Sequence, residues 1–368
     1  MVENSVSHVW IGAAIPSAVP GGMRRHMMLH AAGLRELGVR ATLAFEEDCA
    51  STGVGPVDAR IPGARLLAGT VRDLLRDPPD VINVHSGCAP AFIAARRAGL
   101  LRSEVTVMSY AADERALRFY PGKTGMLRFL RAHVPARATM RFADGVWCVS
   151  REDVDFYVAR YRVPRAAMTF IPHAIEGAFF ERASVPRRPT QLAFVGTWTF
   201  RKGADVLSAA LAKVMRVRAD VSVVVAGTLG GEADIRAALA GVPSERLRVV
   251  PRLEDPELRT LYHETALLLM PSRIEGMPFT MLEAMACGCP SLAAGNSGMR
   301  DAIVDGENGW LEASFDPGTW AARILELLAA PERLRAASEA ARTHAEAFRL
   351  RRVTQTALDW YESRLASS

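Results

Sequence analysis

Two glutamates eight positions apart, Glu275 and Glu283, stand in the stretch Pro271-Ser-Arg-Ile-Glu275-Gly276-Met277-Pro278-Phe279-Thr-Met-Leu-Glu283. An apolar, strand-like run ends at Pro271, and a glycine-containing loop follows. Pro278 suits the first position of a helix, and Gly288 suits its C-terminal stop. The N–H groups that open such a helix lack intrahelical acceptors and, with the helix dipole, form a seat for an anion. Glu275 lies in the loop before that seat, and Glu283 about a turn and a half inside the helix. Acceptors on both sides of a phosphate seat suit a ligand with hydroxyls flanking a diphosphate, which describes a nucleotide-sugar. Blander readings use the same residues. Ser272-x-x-Glu275 has the form of a capping box, although Gly276 and Pro278 would then fall inside the helix. Thr280-x-x-Glu283 could cap a shorter helix, or Glu283 could simply complement the dipole.

Other patterns carry less chemistry. Pro121-Gly122-Lys123-Thr124 is half a phosphate loop, but Leu117 stands where its first glycine belongs and no strand leads in. Asp153-Val154-Asp155 has the form of a metal-binding Asp-x-Asp, yet it follows Val149-Ser150-Arg151 in a helix-like stretch and reads as surface charge. Gly21-Gly22 is not the glycine fingerprint of a dinucleotide site. Cys287-x-Cys289 has no second Cys/His pair nearby, so no zinc site is expected. Gly227-Thr228-Leu229-Gly230-Gly231 reads as a flexible loop after a strand, a candidate contact for a nucleotide base. Lysine is rare: Lys123, Lys202 and Lys213 are the only three among 45 basic residues, so each stands out.

The elements that must position these residues alternate as parallel α/β sheets require. Strands are predicted at Val9–Gly12, Ala41–Phe45, Val81–Val84, Val105–Met108 and Gly145–Val149. They resume at Gln191–Val195, Val221–Ala226, Leu247–Val250, Ala266–Met270 and Pro290–Ala294. Helices are predicted over 23–37, ending at Gly38, and over 317–345 and 349–365. The run Glu181–Gln191, with Pro186 and Pro189, reads as a connection between halves. The division is therefore 1–184, 185–345 and a C-terminal helix 346–368 expected to pack back on the first half. At 368 residues, two domains are expected. Two open parallel sheets in one chain place a ligand in the cleft beyond the carboxyl ends of their strands.

Five further segments, with the glutamate pair, complete a resemblance. Pro20-Gly21-Gly22 with Leu37-Gly38-Val39, Ala143-Asp144-Gly145-Val146 through Ser150, Ile171-Pro172-His173-Ala174-Ile175, Phe194-Val195-Gly196 through Lys202-Gly203, Glu275 to Glu283, and Asp305-Gly306-Glu307-Asn308-Gly309-Trp310-Leu311 occur in register. Together they resemble the retaining glycosyltransferases of family 4, over nearly the whole chain. The resemblance implies a GT-B fold, two Rossmann-like parallel-sheet domains facing across a cleft. It implies that Glu275 binds the donor sugar, that Gly276, Met277, Pro278 and Phe279 supply backbone contacts to sugar and phosphates, and that Glu283 holds the ribose. Gly21, Gly22 and Gly196 fall in the family's donor-side loops. Lys202 would neutralise the departing diphosphate, where positive charge matters most in the transition state. The family usually has Arg where this chain has Thr197, and Arg201 could supply the second cation. His173 stands where Asn is usual. Tyr110, in Val107-Met108-Ser109-Tyr110, takes the place of a histidine common in the family, and a phenol near pKa 10 is a poor base at neutral pH. His85, ending Asn83-Val84-His85, is another candidate facing the cleft, against the plain reading of a structural histidine.

Composition narrows the rest. The hydrophobic fraction of 49% excludes bulk disorder, and no apolar run reaches the roughly 18 residues of a membrane span. Met1-Val-Glu-Asn-Ser lacks the basic start of a signal peptide, and five scattered cysteines suit a reducing cytoplasm. Residues 1–184 hold 23 basic and 18 acidic residues, whereas 185–368 hold 22 of each. Within 115–141 lie seven basic residues and no acid, interleaved with aromatics. That pattern reads as a peripheral contact with anionic membrane, as an acidic acceptor site, or as a solvated face. No nucleic-acid-binding signature accompanies it. The expected function is a retaining, metal-independent transferase that uses a nucleoside-diphosphate-sugar as substrate and needs no cofactor. Its acceptor would be a glycan, lipid or small molecule held mainly by the first domain. The alternatives are a sugar-phosphate phosphorylase or synthase of the same fold, or a catalytically weak partner subunit.

Overall fold

The structure is a computed structural model, and it describes residues 5–13, 21–46, 49, 63–109, 137–228 and 230–367. Packing divides the chain into two compact units, Met1–Ala174 with Phe348–Ser368, and Ile175–Ala347. Residues 175–184, which the sequence reading places in the first half, pack with the second. Phe179 O accepts from Cys287 Sγ at 3.3 Å, Phe180 O accepts from Arg342 at 2.9 Å, and Ala178 O accepts from Arg259 at 3.0 Å.

In the first unit the elements run β1 (His8–Ala13), α1 (Gly22–Glu36), β2 (Arg40–Phe45), α2 (Ala64–Arg76), β3 (Val81–His85), α3 (Ala89–Arg97), β4 (Glu104–Ser109), β5 (Gly145–Cys148), α4 (Arg151–Tyr161) and β6 (Met168–Phe170). The sheet is parallel, in the order β2-β1-β3-β4-β5-β6. Strands β1, β3, β4 and β5 are buried along their whole length, as near-continuous runs of Val, Ile and Met require when helices cover both faces. Strand β6 is only three residues long, too short for its apolar pattern to register in the sequence. The C-terminal helix α12 (Leu350–Leu365) belongs to this unit and packs on α1. Gly33, mid-helix in α1, makes that packing close: a Cβ there would collide with Thr354, so the helix-propensity cost of glycine is accepted for approach. Tyr361, fully buried in α12, meets His30 Nε2 of α1 at 3.0 Å.

Asp153 corrects the surface-charge reading. It is fully buried in the first turn of α4, and its N–H donates to the N-cap Ser150 Oγ at 3.1 Å. A carboxyl near a helix N-terminus is favourably placed. Asp155, two positions on, is exposed.

The second unit runs β7 (Arg188–Val195), α5 (Ala204–Val217), β8 (Ser222–Ala226), α6 (Glu232–Ala238), β9 (Leu247–Val250), α7 (Asp255–Glu264), β10 (Thr265–Met270), α8 (Phe279–Ala286), β11 (Ser291–Ala294), α9 (Gly298–Ala302), β12 (Trp310–Glu312), α10 (Pro317–Leu328) and α11 (Pro331–Ala345). Its parallel sheet has the order β12-β11-β10-β7-β8-β9. The order reverses between β7 and β10, where an open α/β sheet seats its ligand beyond the carboxyl ends. The predicted helix over 317–345 is two helices. Pro331 breaks it, because the residue before a proline is driven out of helical geometry, and Ala330 is extended in φ at −124°.

Candidate active site

The site begins where β7 and β10 end. After Val195 the chain passes Gly196 and Thr197 into a short 3₁₀ turn, Phe200–Lys202, capped by Thr199, whose hydroxyl accepts from the Lys202 N–H at 3.4 Å. Gly203 follows in the left-handed region, φ 77°, and a Cβ on it would collide with the Pro271 carbonyl. Only glycine permits both that turn and that approach. The loop after β7 is thereby laid against the loop after β10. Lys202 Nζ stands 2.5 Å from Glu275 Oε1, and Arg201 Nη1 stands 3.6 Å from the same oxygen. Arg201 also donates to the Ile274 carbonyl at 3.2 Å. Gly196 lies alongside the Lys202 side chain. Thr197 is half-buried between Gly196 and Trp198, whose ring packs edge-on against Phe194 at 5.2 Å.

Glu275 is 8% exposed. Burial alone would raise its pKa. The charges of Lys202 and Arg201, with hydrogen bonds from Lys202 and Ser272, outweigh burial and hold it below the usual carboxylate range. Glu275 is therefore an ionised acceptor at neutral pH. Ser272 bonds to Glu275 without capping a helix, because α8 begins only at Phe279.

Pro278 is the N-cap of α8 rather than its first helical residue, with extended φ −73° and ψ 124°. Met281 N–H donates back to Pro278 O at 3.1 Å, and the N–H groups of Phe279 and Thr280 open the helix. Gly276 O accepts from Gly298 N–H at 2.7 Å, and Asn296 Nδ2 donates to Ser272 O at 2.9 Å, so the loop after β11 braces the loop after β10. Met277 is buried. Thr280 lies inside the first turn, which removes the shorter-helix cap. Glu283 is 2% exposed, and its Oε2 accepts from Tyr262 Oη of α7 at 3.4 Å.

The remaining candidates lie in the first unit. Gly21 caps α1 with extended backbone, and Gly22 is its first residue. His85 ends β3, beside the reversal of strand order between β1 and β3. Burial lowers its pKa to about 4, and its Nδ1 accepts from Gly87 N–H at 3.3 Å. At neutral pH it is an uncharged imidazole. Tyr110 and most of 115–141 fall outside the described residues.

Sequence reasoning missed two groups. Arg273 and Asp205 form a bidentate pair, at 2.8 and 2.7 Å, joining the two site loops. The only signal was adjacency, since Arg273 lies two positions before Glu275 and Asp205 three after Lys202. The second group is a buried set of histidines. His26 Nδ1 meets His173 Nδ1 at 3.1 Å, and the rings of His26 and His30 each lie 5.0 Å from Trp147. Among the described residues no group of three or more His, Cys, Asp and Glu side chains is arranged to hold a metal.

The family model described as Glycosyltransferase Family 4 matches residues 20–178, and that described as Glycosyl transferases group 1 matches 178–344. The D-inositol 3-phosphate glycosyltransferase 1 of Catenulispora acidiphila is 32% identical over 314 residues, 77% of this chain and 72% of that protein. The chain belongs to glycosyltransferase family 4. The D-inositol 3-phosphate glycosyltransferase of Segniliparus rotundus is 37% identical over 175 residues, 45% of this family 4 chain but only 39% of that protein. Several such curated relatives are thus matched over less than half of their length. In fold, the family 4 chain matches a sucrose-phosphate synthase from Thermosynechococcus elongatus with TM-score 0.82 at 16% identity, covering 98% of this chain and all of that one. Anabaena HepE, solved with UDP and glucose, matches with TM-score 0.72 at 14% identity, over 97% of this chain and all of that one. The two six-stranded parallel sheets are those of the GT-B fold.

Proposed function

We propose that this chain transfers a sugar from a nucleoside-diphosphate-sugar to an acceptor hydroxyl, with retention at the anomeric carbon and without an essential metal. The observation that carries the reading is the Lys202–Glu275 pair, 2.5 Å apart at the carboxyl ends of β7 and β10, with Arg201 beside it. As the bond between sugar and diphosphate breaks, negative charge grows on the departing phosphate oxygen. Lys202 and Arg201 stabilise that charge most when it is fully developed, which lowers the barrier rather than merely tightening binding. Lys202 has three donors, so its contact with Glu275 leaves others for phosphate oxygens. Glu275, ionised and acceptor-only, takes hydrogen bonds from the sugar's hydroxyls. The first-turn N–H groups of α8 add to the phosphate seat, and Glu283 receives the ribose hydroxyls. The leaving phosphate itself takes the acceptor's proton on the face it departs from, which fits a site whose Glu275 is fully occupied by cations and sugar.

HepE's complex with UDP and glucose supports a nucleotide-sugar donor, and the names of the relatives make inositol 3-phosphate the first acceptor to try. A contact of residues 115–141 with anionic membrane belongs to the same reading. No helix among the described residues is long and apolar enough to cross a membrane. The test is hydrolysis or transfer with UDP-, GDP- and ADP-glucose. Glu275→Ala and Lys202→Ala should each lower kcat/KM by roughly 10²-fold, a loss of about 2.7 kcal/mol in transition-state binding. Near-normal turnover by Glu275→Ala would remove the assignment.

A further inference from the structure

The two site loops are joined by a side chain that does not belong to the donor machinery. Arg273 Nη1 donates to the Phe200 carbonyl at 2.5 Å. Its Nη1 and Nη2 grip the two oxygens of Asp205 at 2.8 and 2.7 Å. Its guanidinium plane lies 3.7 Å from the centre of the Phe200 ring. Its own main-chain N–H donates to Arg201 O at 2.8 Å, while Arg201 reaches back to Ile274 O at 3.2 Å. Six contacts therefore fasten 200, 201 and 205, on the β7 side, to 273 and 274, on the β10 side. Lys202 lies within the first set and Glu275 directly follows the second.

We infer that Arg273 is a positioning residue that sets Lys202 against Glu275, and that Asp205 is its anchor. The inference rests on the donor-site reading above. The side chain is suited to the task. Its exposure is 11%, and a planar fork matched to a carboxylate loses little freedom per bond formed. Asp205 reports the strength of the grip. Partial burial would raise its pKa, yet the hydrogen bond and charge of Arg273 hold it below the usual carboxylate range. Lysine cannot replace the arginine in this geometry. An ammonium cannot take both Asp205 oxygens in parallel, reach Phe200 O and stack on a ring at once. The effect on rate follows from the tolerance of such sites, where displacement of a charged group by about 1 Å costs on the order of 10²-fold.

The experiment is a double-mutant cycle read by kcat and donor KM, using whichever of UDP-, GDP- and ADP-glucose the wild-type protein hydrolyses fastest. Arg273→Lys should lower kcat at least tenfold while donor KM changes less than about threefold, because the guanidinium is taken up by Asp205 and Phe200. Asp205→Asn, a half-exposed site, should fall in the same direction by a smaller factor, and it serves if Arg273→Lys fails to fold. In a Lys202→Ala background the arginine substitution should cost less than about twofold, since the group it positions is gone. A purely structural role would lower kcat by the same factor in both backgrounds, and that result overturns the proposal. Wild-type kcat in both Arg273→Lys and Asp205→Asn overturns it as well. If Lys202→Ala alone keeps wild-type turnover, or no donor is hydrolysed, the donor-site reading falls first and takes this one with it. If Lys202→Ala is impaired while the two clamp variants are not, only the clamp falls.

Discussion

Acidification should unfold the first unit well before the carboxylates of the chain are neutralised. Five histidines among the described residues, His8, His26, His30, His85 and His173, are buried there, each 7% exposed or less. Burial is the leading cause in every case, and it lowers His30 and His173 to about 3 and His85 to about 4. His26 is also driven down, by burial first and then by His173, His30 and His85. Unfolded, each titrates near 6.5. Below that pH the unfolded chain takes up a proton that the folded chain refuses. The stabilisation from keeping each imidazole neutral is thus complete above pH 6.5 and is lost as pH falls towards the folded value. The slope is about 1.36 kcal/mol per pH unit for each histidine. From pH 6.5 to pH 5, His30, His85 and His173 together cost on the order of 6 kcal/mol, comparable with the whole stability of many domains. The geometry agrees with the sign: His26 Nδ1 and His173 Nδ1 lie 3.1 Å apart, a hydrogen bond that needs one of the two nitrogens unprotonated. The assay is urea unfolding at pH 7.5, 6 and 5, followed by tryptophan emission. Trp147 lies 5.0 Å from both His26 and His30. The midpoint of the first unit should fall steeply below pH 6.5. His173→Asn, which restores the residue common in the family, should recover about 2 kcal/mol of the loss between pH 7.5 and 5. A midpoint that is flat over this range, or a His173→Asn protein with wild-type pH dependence, would refute the reasoning.

Three further outcomes are expected. If Glu283 holds the ribose as proposed, Glu283→Ala should raise the donor KM more than it lowers kcat, since such a contact is felt in ground and transition states alike. Tyr262→Phe, which removes its 3.4 Å bond, should shift KM in the same direction by less, and a kcat defect with unchanged KM would contradict both. The product should keep the donor's anomeric configuration by NMR and form in excess EDTA; inversion, or a loss restored by Mg²⁺, would count against the mechanism. Gly203→Ala should lower Tm and turnover together, because the added methyl meets Pro271 O, and an active, stable variant would show that the loops need not approach.

The sequence alone determined the architecture and singled out Glu275 and Lys202, which the fold brings together. Apolar runs that end in glycine or polar turns predicted ten of the twelve strands among the described residues, and a parallel sheet follows from burial on both faces. Glu275 and Lys202 stood out because their types are rare or costly where they stand, an acid after an apolar strand and one of three lysines, whereas Arg201 was read only from its place beside Lys202. What it could not determine were contacts between residues far apart in the chain. Strand β12 escaped because Trp310-Leu-Glu is too short for periodicity, and the break at Pro331 was hidden by apolar spacing that continues across it. Only the folded chain decides that Arg273 faces Asp205, 68 positions away, that His26 meets His173 across 147, and that Asp153 turns inward while Asp155 does not. The strand order decides the rest. Residues 202 and 275 become neighbours because β7 and β10 pair at the point where the sheet reverses, and a sequence pattern specifies strands without specifying which of them lie side by side.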